Sequence, residues 1–118
     1  MSSDNFPIVV ALVMHNGARW LPHCLVSLAQ QSRQDFMLML IDNGSVDSSV
    51  LLANELLLQY PGLQARTKLV YNKQNLGFAR AYNQAILWSS SEAVLILNQD
   101  VVLAPNYLEL TMQGLEQQ

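Results

Sequence analysis

The chain has 118 residues, of which 51% are hydrophobic and 13% are charged, and its formal net charge is −3. This length fits one domain, and the apolar content excludes intrinsic disorder. The small number of basic residues in an acidic chain argues against nucleic acid as a partner. The charged fraction is well below the ~25% usual for soluble domains, so we expect part of the surface to face a partner or further chain.

Cysteine content and hydropathy indicate the compartment. The single cysteine, Cys24, excludes an internal disulfide and favours a reducing environment. No apolar run approaches the ~20 residues that span a bilayer, and the first residues lack the positive charge of a secretory signal. We therefore expect a cytoplasmic protein, either free or peripheral at the inner face of the membrane.

The first predicted strand covers residues 8–14, a continuously apolar run typical of a strand buried on both faces. Apolar residues then recur at helical spacing from Leu21 to Ala29, with Pro22 tolerated in the first turn. A second strand is predicted over residues 36–41, followed by a second helix. Ser45 or Asp47 is the expected cap of that helix.

The second half of the chain repeats this alternation. The second helix is expected to stop at Tyr60-Pro61-Gly62, ahead of a short strand over residues 67–71. A third helix carries apolar residues from Phe78 to Ile86, and a fourth strand covers residues 93–97. Pro105 is expected to open a fourth helix.

The resulting βαβαβαβα pattern predicts an α/β fold with an open, mostly parallel, Rossmann-like sheet in strand order 3-2-1-4. Parallel strands place their carboxyl ends on one edge, where open α/β sheets bind ligands. Polar residues follow every predicted strand, so we expect one site there. These residues are His15-Asn16, Asp42-Asn43, Asn72-Lys73 and Asn98-Gln99-Asp100.

Two acidic strand ends suggest specific chemistry. Asp42 can accept hydrogen bonds from a base or a ribose hydroxyl, or it can simply close a turn with the residues that follow. Asp100, with Asn98, offers oxygen ligands for Mg²⁺ or Mn²⁺, although a strand-ending turn explains the same spacing. Arg80, in the first turn of the third helix, can reach a phosphate.

Other polar or aromatic residues carry weaker signals. Asn83 fits a surface position as well as a site. His23 and Cys24 have no further soft ligands nearby in the sequence, so no zinc site is expected. Trp20 and Trp88 are expected to be packing residues. The chain has neither GxGxxG nor GxxxxGK[ST], so dinucleotide-binding and P-loop sites lack their phosphate cradles.

Four segments together resemble the N-terminal, nucleotide-binding half of a family 2 glycosyltransferase with the A-type (GT-A) fold. They read IVVALVMHNGARWLPHCLVSLAQQS, LIDNGSVDSS, NKQNLGFARAYNQAI and LILNQDVVLAPNYL. They extend from Pro7 to about Leu108 in the family's order, and NLGFARAYN is most similar to the rhamnosyltransferase-like branch. The resemblance implies that residues 1–118 are the donor-binding half of a glycosyltransferase domain, apparently truncated.

The resemblance also implies roles for the strand-end residues. Asp42 matches the aspartate that binds the base or ribose. Asn98-Gln99-Asp100 matches the DxD motif, in which the last aspartate ligates the Mg²⁺ or Mn²⁺ that bridges the diphosphate, although Asn98 replaces the first, charged position. The other residues implied to line the nucleotide pocket are Met14, His15, Asn16, Arg80 and Asn83.

The activity so implied is metal-assisted, inverting transfer of a hexosyl or rhamnosyl group from a UDP- or dTDP-sugar to a hydroxyl of a glycan or lipid-linked acceptor, in cell-surface polysaccharide or glycan synthesis. The general base is expected beyond Gln118. The 118-residue chain alone is therefore expected to be inactive, and its surface is expected to contact a missing C-terminal half or a second copy.

Two other classes of function remain open from the residues. A receiver-like signalling module needs an acidic pair after the first strand and an aspartate after the third, where this chain has His15-Asn16 and Asn72. A non-catalytic scaffold would bind no nucleotide, so a nucleotide titration separates it from a transferase.

Overall fold

The computed structural model describes Ser3 and residues 5–117. Residues 1, 2, 4 and 118, which include part of the N-terminal segment assessed for a secretory signal, lie outside the described residues. The strands are β1 (Ile8–Met14), β2 (Phe36–Asn43), β3 (Thr67–Asn72) and β4 (Ala93–Asn98). The helices are α1 (Leu21–Ala29), α2 (Ser49–Gln59), α3 (Pro61–Ala65), α4 (Phe78–Trp88) and α5 (Tyr107–Glu116).

The four strands form one parallel sheet in the order β3-β2-β1-β4, as predicted. In the register of the sheet, Met14 lies opposite Asp42, and Val13 lies opposite Asn98. Asn43 lies opposite Asn72. The polar ends of all four strands therefore lie along one edge.

Every residue of β1 is buried, because helices cover both faces of the sheet. Val10 and Leu12 face a core cluster shared with residues of α1, α2, α3 and α5. Val9, Ala11 and Val13 face a second cluster, to which the only contributing helix among the described residues is α4. This double burial explains why β1 and β2 read as unbroken apolar runs instead of alternating ones.

Three strands extend further into the polar residues than the sequence predicts. Asp42 and Asn43 belong to β2, Asn72 belongs to β3 and Asn98 belongs to β4. Ladder hydrogen bonds to neighbouring strands fix the backbone of these residues, so their side chains leave the sheet edge in defined directions. No helix within the described residues is long and apolar enough to cross a membrane.

The helices depart from the predictions in three places: the cap of α2, the short α3 that follows it, and the start of α5. The cap of α2 is Ser48, whereas Ser45 and Asp47 were expected, although the Asp47 carboxylate accepts a hydrogen bond from the Ser49 N–H at 2.9 Å. After Tyr60 the chain forms the short helix α3 instead of a simple turn. Pro61 occupies the first position of this helix, where the missing N–H of proline costs no hydrogen bond.

Pro105 does not open α5, which begins at Tyr107. A turn precedes the helix, in which the Tyr107 N–H donates to the Ala104 carbonyl oxygen at 3.0 Å. The Pro105 carbonyl oxygen accepts instead from the Ser32 N–H at 2.8 Å, so a contact with the segment after α1 determines where the helix starts.

Candidate functional site

A cavity of about 390 Å³ opens where β1 and β4 end. Asn98, the last residue of β4, and Asp100, two residues later, contribute exposed polar side chains to it. Its aromatic wall comes from the start of α1 and from α4, and Tyr82 is anchored there because its hydroxyl donates to the Leu97 carbonyl oxygen. Apolar walls with a few polar groups at one end are typical of small-molecule sites. The lining residues are Trp20, Phe78, Tyr82, Asn98, Gln99 and Asp100.

A smaller cavity of about 110 Å³ lies between the ends of β1 and β2 and the start of α4. The His15 ring Nδ1 lies 2.9 Å from the Asn43 carbonyl oxygen, which orients the imidazole. Phe78 borders both cavities, so they adjoin. The other residues that line the smaller one are His15, Asn43, Asn75 and Gly77.

Hydrogen bonds connect the loop after β1 to the loop after β2. Asn16 adopts a positive φ of 46°, which asparagine tolerates better than most residues. Its N–H donates to Ser45 Oγ at 3.0 Å, and its Oδ1 accepts from the Val46 N–H at 2.8 Å. These contacts hold the backbone beside His15 in one geometry.

The next two N–H groups of this loop are also engaged. The Gly17 N–H donates to Ser49 Oγ at 2.8 Å, and the Ala18 N–H donates to Asp47 Oδ2 at 3.1 Å. Desolvation raises the pKa of Asp47, but hydrogen bonds from Ser49 and the Ala18 N–H outweigh it and lower the pKa below its usual value. These N–H groups are therefore not available as a phosphate cradle.

Asp42 is only 5% exposed and lies at the end of β2. Its two carboxylate oxygens lie 3.3 and 3.4 Å from the Ser45 nitrogen, from which they accept a long hydrogen bond. The turn that the sequence suggested for Asp42 is therefore present. A carboxylate can accept several hydrogen bonds, so Asp42 can also accept from a ligand. The neighbouring Met14 side chain is buried in the core, so only its backbone reaches the sheet edge.

Arg80 and Asn83 are exposed on α4, and neither lines the two cavities. Within the residues that the structure describes, Arg80 makes no ion pair; the ion pairs there join Arg33 to Asp35 and to Glu116. A contact of Arg80 or Asn83 with a nucleotide stays a prediction.

The family model for glycosyl transferase family 2 matches residues 9–118, nearly the whole chain. The chain belongs to glycosyltransferase family 2. The resemblance carried by the four sequence segments is thereby confirmed, and the receiver-like alternative is set aside.

Curated relatives of this glycosyltransferase chain are considerably longer. Glycosyltransferase GlyG of Streptococcus pneumoniae is 24% identical over 93% of this chain and 35% of its own length. A teichoic acid poly(glycerol phosphate) polymerase of Staphylococcus epidermidis is 28% identical over 82% of this chain and 13% of its own length. The chain thus spans about a third of GlyG and less of the polymerase.

Solved glycosyltransferases share the fold. Staphylococcus aureus TarS, residues 1–349 in complex with UDP-GlcNAc, superposes with a TM-score of 0.81 at 19% identity, covering 93% of this chain and 31% of that one. The mannosyltransferase PcManGT of Pyrobaculum calidifontis, in complex with GDP-Man and Mn²⁺, gives a TM-score of 0.77 at 22% identity, covering 84% and 29%. The expected GT-A fold class is therefore confirmed.

The residues at the end of β4 fit a divalent cation that is shared with a ligand. Among the described residues there is no group of three or more histidine, cysteine, aspartate or glutamate side chains that could enclose a metal. Asp100 and Asn98 supply one carboxylate and one amide oxygen, both of the hard-ligand class that suits Mg²⁺ and Mn²⁺. The remaining positions would have to be filled by water and ligand oxygens.

The Cys24 thiol does not add to this donor set. Burial, with a smaller contribution from the Asp100 charge, raises the pKa of Cys24 to about 12. The group is therefore a neutral thiol at physiological pH, and its Sγ donates weakly to the Asn98 carbonyl oxygen at 3.9 Å.

The position of Trp20 differs from the prediction. It was expected to be a packing residue, but its side chain is 44% exposed and lines the larger cavity, with the Arg19 guanidinium 5.7 Å from the ring centroid. Its position between the end of β1 and the start of α1 was an available signal, because that loop lies at the edge where open α/β sheets generally bind ligands. Trp88, in contrast, packs against the α4 side of the core as expected.

Proposed function

We propose that residues 1–118 form the donor-binding half of an inverting, metal-assisted glycosyltransferase. The observation that carries this proposal is the cavity where Asn98 and Asp100 meet an aromatic wall, beside the smaller cavity under His15. A nucleotide sugar has a charged diphosphate between two ring systems, and the larger cavity offers the Asp100 carboxylate for a metal ion while it adjoins the smaller cavity at Phe78. Family membership and the nucleotide sugars bound to TarS and PcManGT support this assignment.

The donor we propose is a UDP- or dTDP-sugar. The base and ribose would lie near His15, Asn16 and Asp42, which meet at the ends of β1 and β2. The diphosphate would lie near Asn98 and Asp100, and the sugar would contact the aromatic wall of the larger cavity. Arg80 and Asn83 on the exposed face of α4 would approach the donor from the other side.

Mg²⁺ or Mn²⁺ is the cofactor we propose, held by Asp100, with Asn98 as a weaker neighbour. When bound, the cation neutralises charge on the diphosphate and so assists its departure. The Mn²⁺ in the PcManGT complex supports a divalent ion for this fold. Because one carboxylate is too few ligands for Mg²⁺, which gives up its waters reluctantly, we expect tight binding only with nucleotide present.

The reaction we propose is a single displacement at the anomeric carbon. An acceptor hydroxyl loses its proton to a carboxylate that we place C-terminal to residue 118. The hydroxyl oxygen then bonds to the anomeric carbon. The bond from that carbon to the diphosphate breaks, and the nucleoside diphosphate leaves with the electron pair. The transferred group would be hexosyl or rhamnosyl, and attack opposite the leaving group inverts the configuration.

The setting we propose is cell-surface polysaccharide or glycan synthesis, with a glycan or lipid-linked acceptor. The name of the teichoic acid polymerase among the relatives supports a role of this kind. The protein would work in the cytoplasm or peripherally at the inner face of the membrane. Either a second copy or further chain of the same enzyme would cover part of its surface.

Asp42→Ala is expected to weaken UDP binding by roughly 1 to 3 kcal/mol, the usual cost of leaving ligand donors without a partner. Isothermal titration calorimetry with UDP and MnCl₂ measures the change. Asp35→Ala is the matched control, because Asp35 lies before β2, at the opposite end of the strand, and pairs with Arg33 at 2.7 Å. Unchanged UDP affinity of the Asp42 variant would restrict Asp42 to its turn contact with Ser45.

The purified 118-residue chain is expected to transfer no sugar, because no general base for the acceptor is identified among its site residues. Release of UDP from UDP-GlcNAc, measured with MnCl₂ and a panel of lipid-linked and glycan acceptors, checks this. Turnover by the chain alone would contradict the donor-half proposal. Complete absence of UDP binding would favour the non-catalytic scaffold.

A further inference from the structure

Gln99, the middle residue of the Asn98-Gln99-Asp100 triplet, has contacts unlike those of its two neighbours. Asn98 and Asp100 are exposed, whereas the Gln99 side chain turns inward to the backbone of His15. The His15 N–H donates to Gln99 Oε1 at 3.0 Å, and Gln99 Nε2 donates to the His15 carbonyl oxygen at 3.0 Å. One side-chain amide thus satisfies both backbone groups of a single residue.

This pair of hydrogen bonds extends the sheet beyond its last backbone pair. Backbone pairing between β1 and β4 ends at Val13 and Asn98. A glutamine side chain ends in a primary amide whose carbonyl oxygen and one of whose N–H groups point to the same side, so it can pair with the N–H and the carbonyl oxygen of a single residue. The Gln99 side chain therefore pairs with the backbone of His15 and links the segment after β4 to the segment after β1.

Gly17 provides an independent observation for this arrangement. A Cβ atom built on Gly17 would lie 2.0 Å from Gln99 Oε1 and 2.5 Å from Gln99 Cδ. The glycine has no φ in the left-handed region, so its conformation does not require glycine. The close approach of the Gln99 amide is the feature that a side chain at this position would prevent.

The hydrogen bonds of His15 extend this connection to β2. Its ring is fixed by the Asn43 carbonyl oxygen at 2.9 Å, and the next residue, Asn16, is bonded to Ser45 and Val46. The Gln99 amide therefore ties the residue next to Asp100 to the segment that carries the proposed base and ribose contacts. Groups that hold a ligand set in place typically change metal affinity or activity by 10–100-fold when they are removed.

We propose that Gln99 is a positioning residue that fixes Asp100 relative to residues 14–16, so that one nucleoside diphosphate can reach both. This inference rests on the proposed function. Without the Gln99 amide, the loop after β4 loses its hydrogen bonds to His15. A cation held by Asp100 is then no longer at a fixed distance from the residues that would contact the base and ribose. The effect should therefore appear chiefly when metal and nucleotide bind together.

Two variants test the role from opposite sides. Gln99→Met keeps the length of the side chain but removes both hydrogen bonds. Gly17→Ala keeps Gln99 but places a methyl group where its amide lies. Gln59→Met is the matched control, because Gln59 is exposed at the end of α2 and away from both cavities.

The measurement is the Kd for UDP, by calorimetry on the full chain, in MnCl₂ and separately in EDTA. Both site variants are expected to weaken binding in MnCl₂ by about tenfold, with a smaller change in EDTA. The ratio of the two Kd values is a property of the folded molecules, so a loss of stability alone does not move it. If Gln99→Met does not fold, Gly17→Ala carries the test, since it removes no hydrogen-bonding group.

The outcomes separate this inference from the proposed function. Wild-type chain that binds no UDP in either buffer contradicts the donor-binding function and, with it, the positioning role. Wild-type binding together with unchanged Kd values in both variants overturns the positioning role alone. Equal weakening in both buffers also overturns it, because it assigns Gln99 to general stability of the sheet edge.

Discussion

Replacing Asp100 by asparagine is expected to abolish the dependence of UDP binding on Mn²⁺. Among the residues that the structure describes, Asp100 is the only one that contributes a carboxylate to the larger cavity, and Asn98 beside it is neutral. Asparagine keeps the size of the side chain but removes the negative charge through which this position attracts a hard divalent cation. Titration of UDP in MnCl₂ and in EDTA should therefore give two different Kd values for the wild type and a single value for Asp100→Asn.

The control for this prediction is Asp35→Asn, which removes an exposed carboxylate at the other end of β2 and should leave the Mn²⁺ dependence intact. A nucleotide-free crystal soaked in MnCl₂ should hold no ordered ion at Asp100, because the diphosphate oxygens are needed to complete the ligand set. UDP affinity that responds neither to chelator nor to Asp100→Asn would remove Asp100 from the metal role.

Leu12→Ala is expected to lower the free energy of unfolding by about 2 to 5 kcal/mol, the range measured for leucine truncations in cores. Leu12 is 0% exposed in the middle of β1, opposite Leu40 on one side and Leu97 on the other. The loss includes the transfer of the buried methyl groups and the cavity that remains between strands and helices. Small domains have only about 5 to 15 kcal/mol of stability, so the variant would be close to unfolding at elevated temperature.

Urea unfolding followed by circular dichroism measures this change. The matched control is Leu58→Ala, because Leu58 is 70% exposed on α2 and alanine suits a helix as well as leucine does. That control should stay within about 0.5 kcal/mol of the wild type. A similar loss in both variants would contradict the placement of Leu12 in the core.

The strands and their order could be predicted from the sequence because their pattern is a consequence of burial. A strand covered by helices on both faces excludes polar residues from its buried interior, so β1 and residues 36–41 of β2 stand out as unbroken apolar runs. Helical spacing between such runs implies parallel strands with their carboxyl ends on one edge. That is why the polar strand ends were expected at one site, and they do lie together.

Helix boundaries were harder to predict from the sequence, because local sequence preferences compete with contacts from distant residues. Pro105 is suited to open a helix, yet α5 starts two residues later, at Tyr107. The carbonyl group of Pro105 is held by Ser32, which is 73 residues away in the sequence. No local pattern contains that partner, so the preference of proline for a first turn was misleading here.

The sequence by itself determined the fold class, the strand order and the edge at which the polar strand ends meet, since these follow from hydrophobic periodicity and the direction of parallel strands. Only the tertiary structure decided what the side chains at that edge do. Gln99 pairs with His15 across 84 residues, Asp42 is almost fully buried, and Trp20 borders a cavity instead of the core. The direction and the exposure of a side chain depend on the backbone groups and cavities that surround it. Segments distant in the sequence form these surroundings only after the chain has folded.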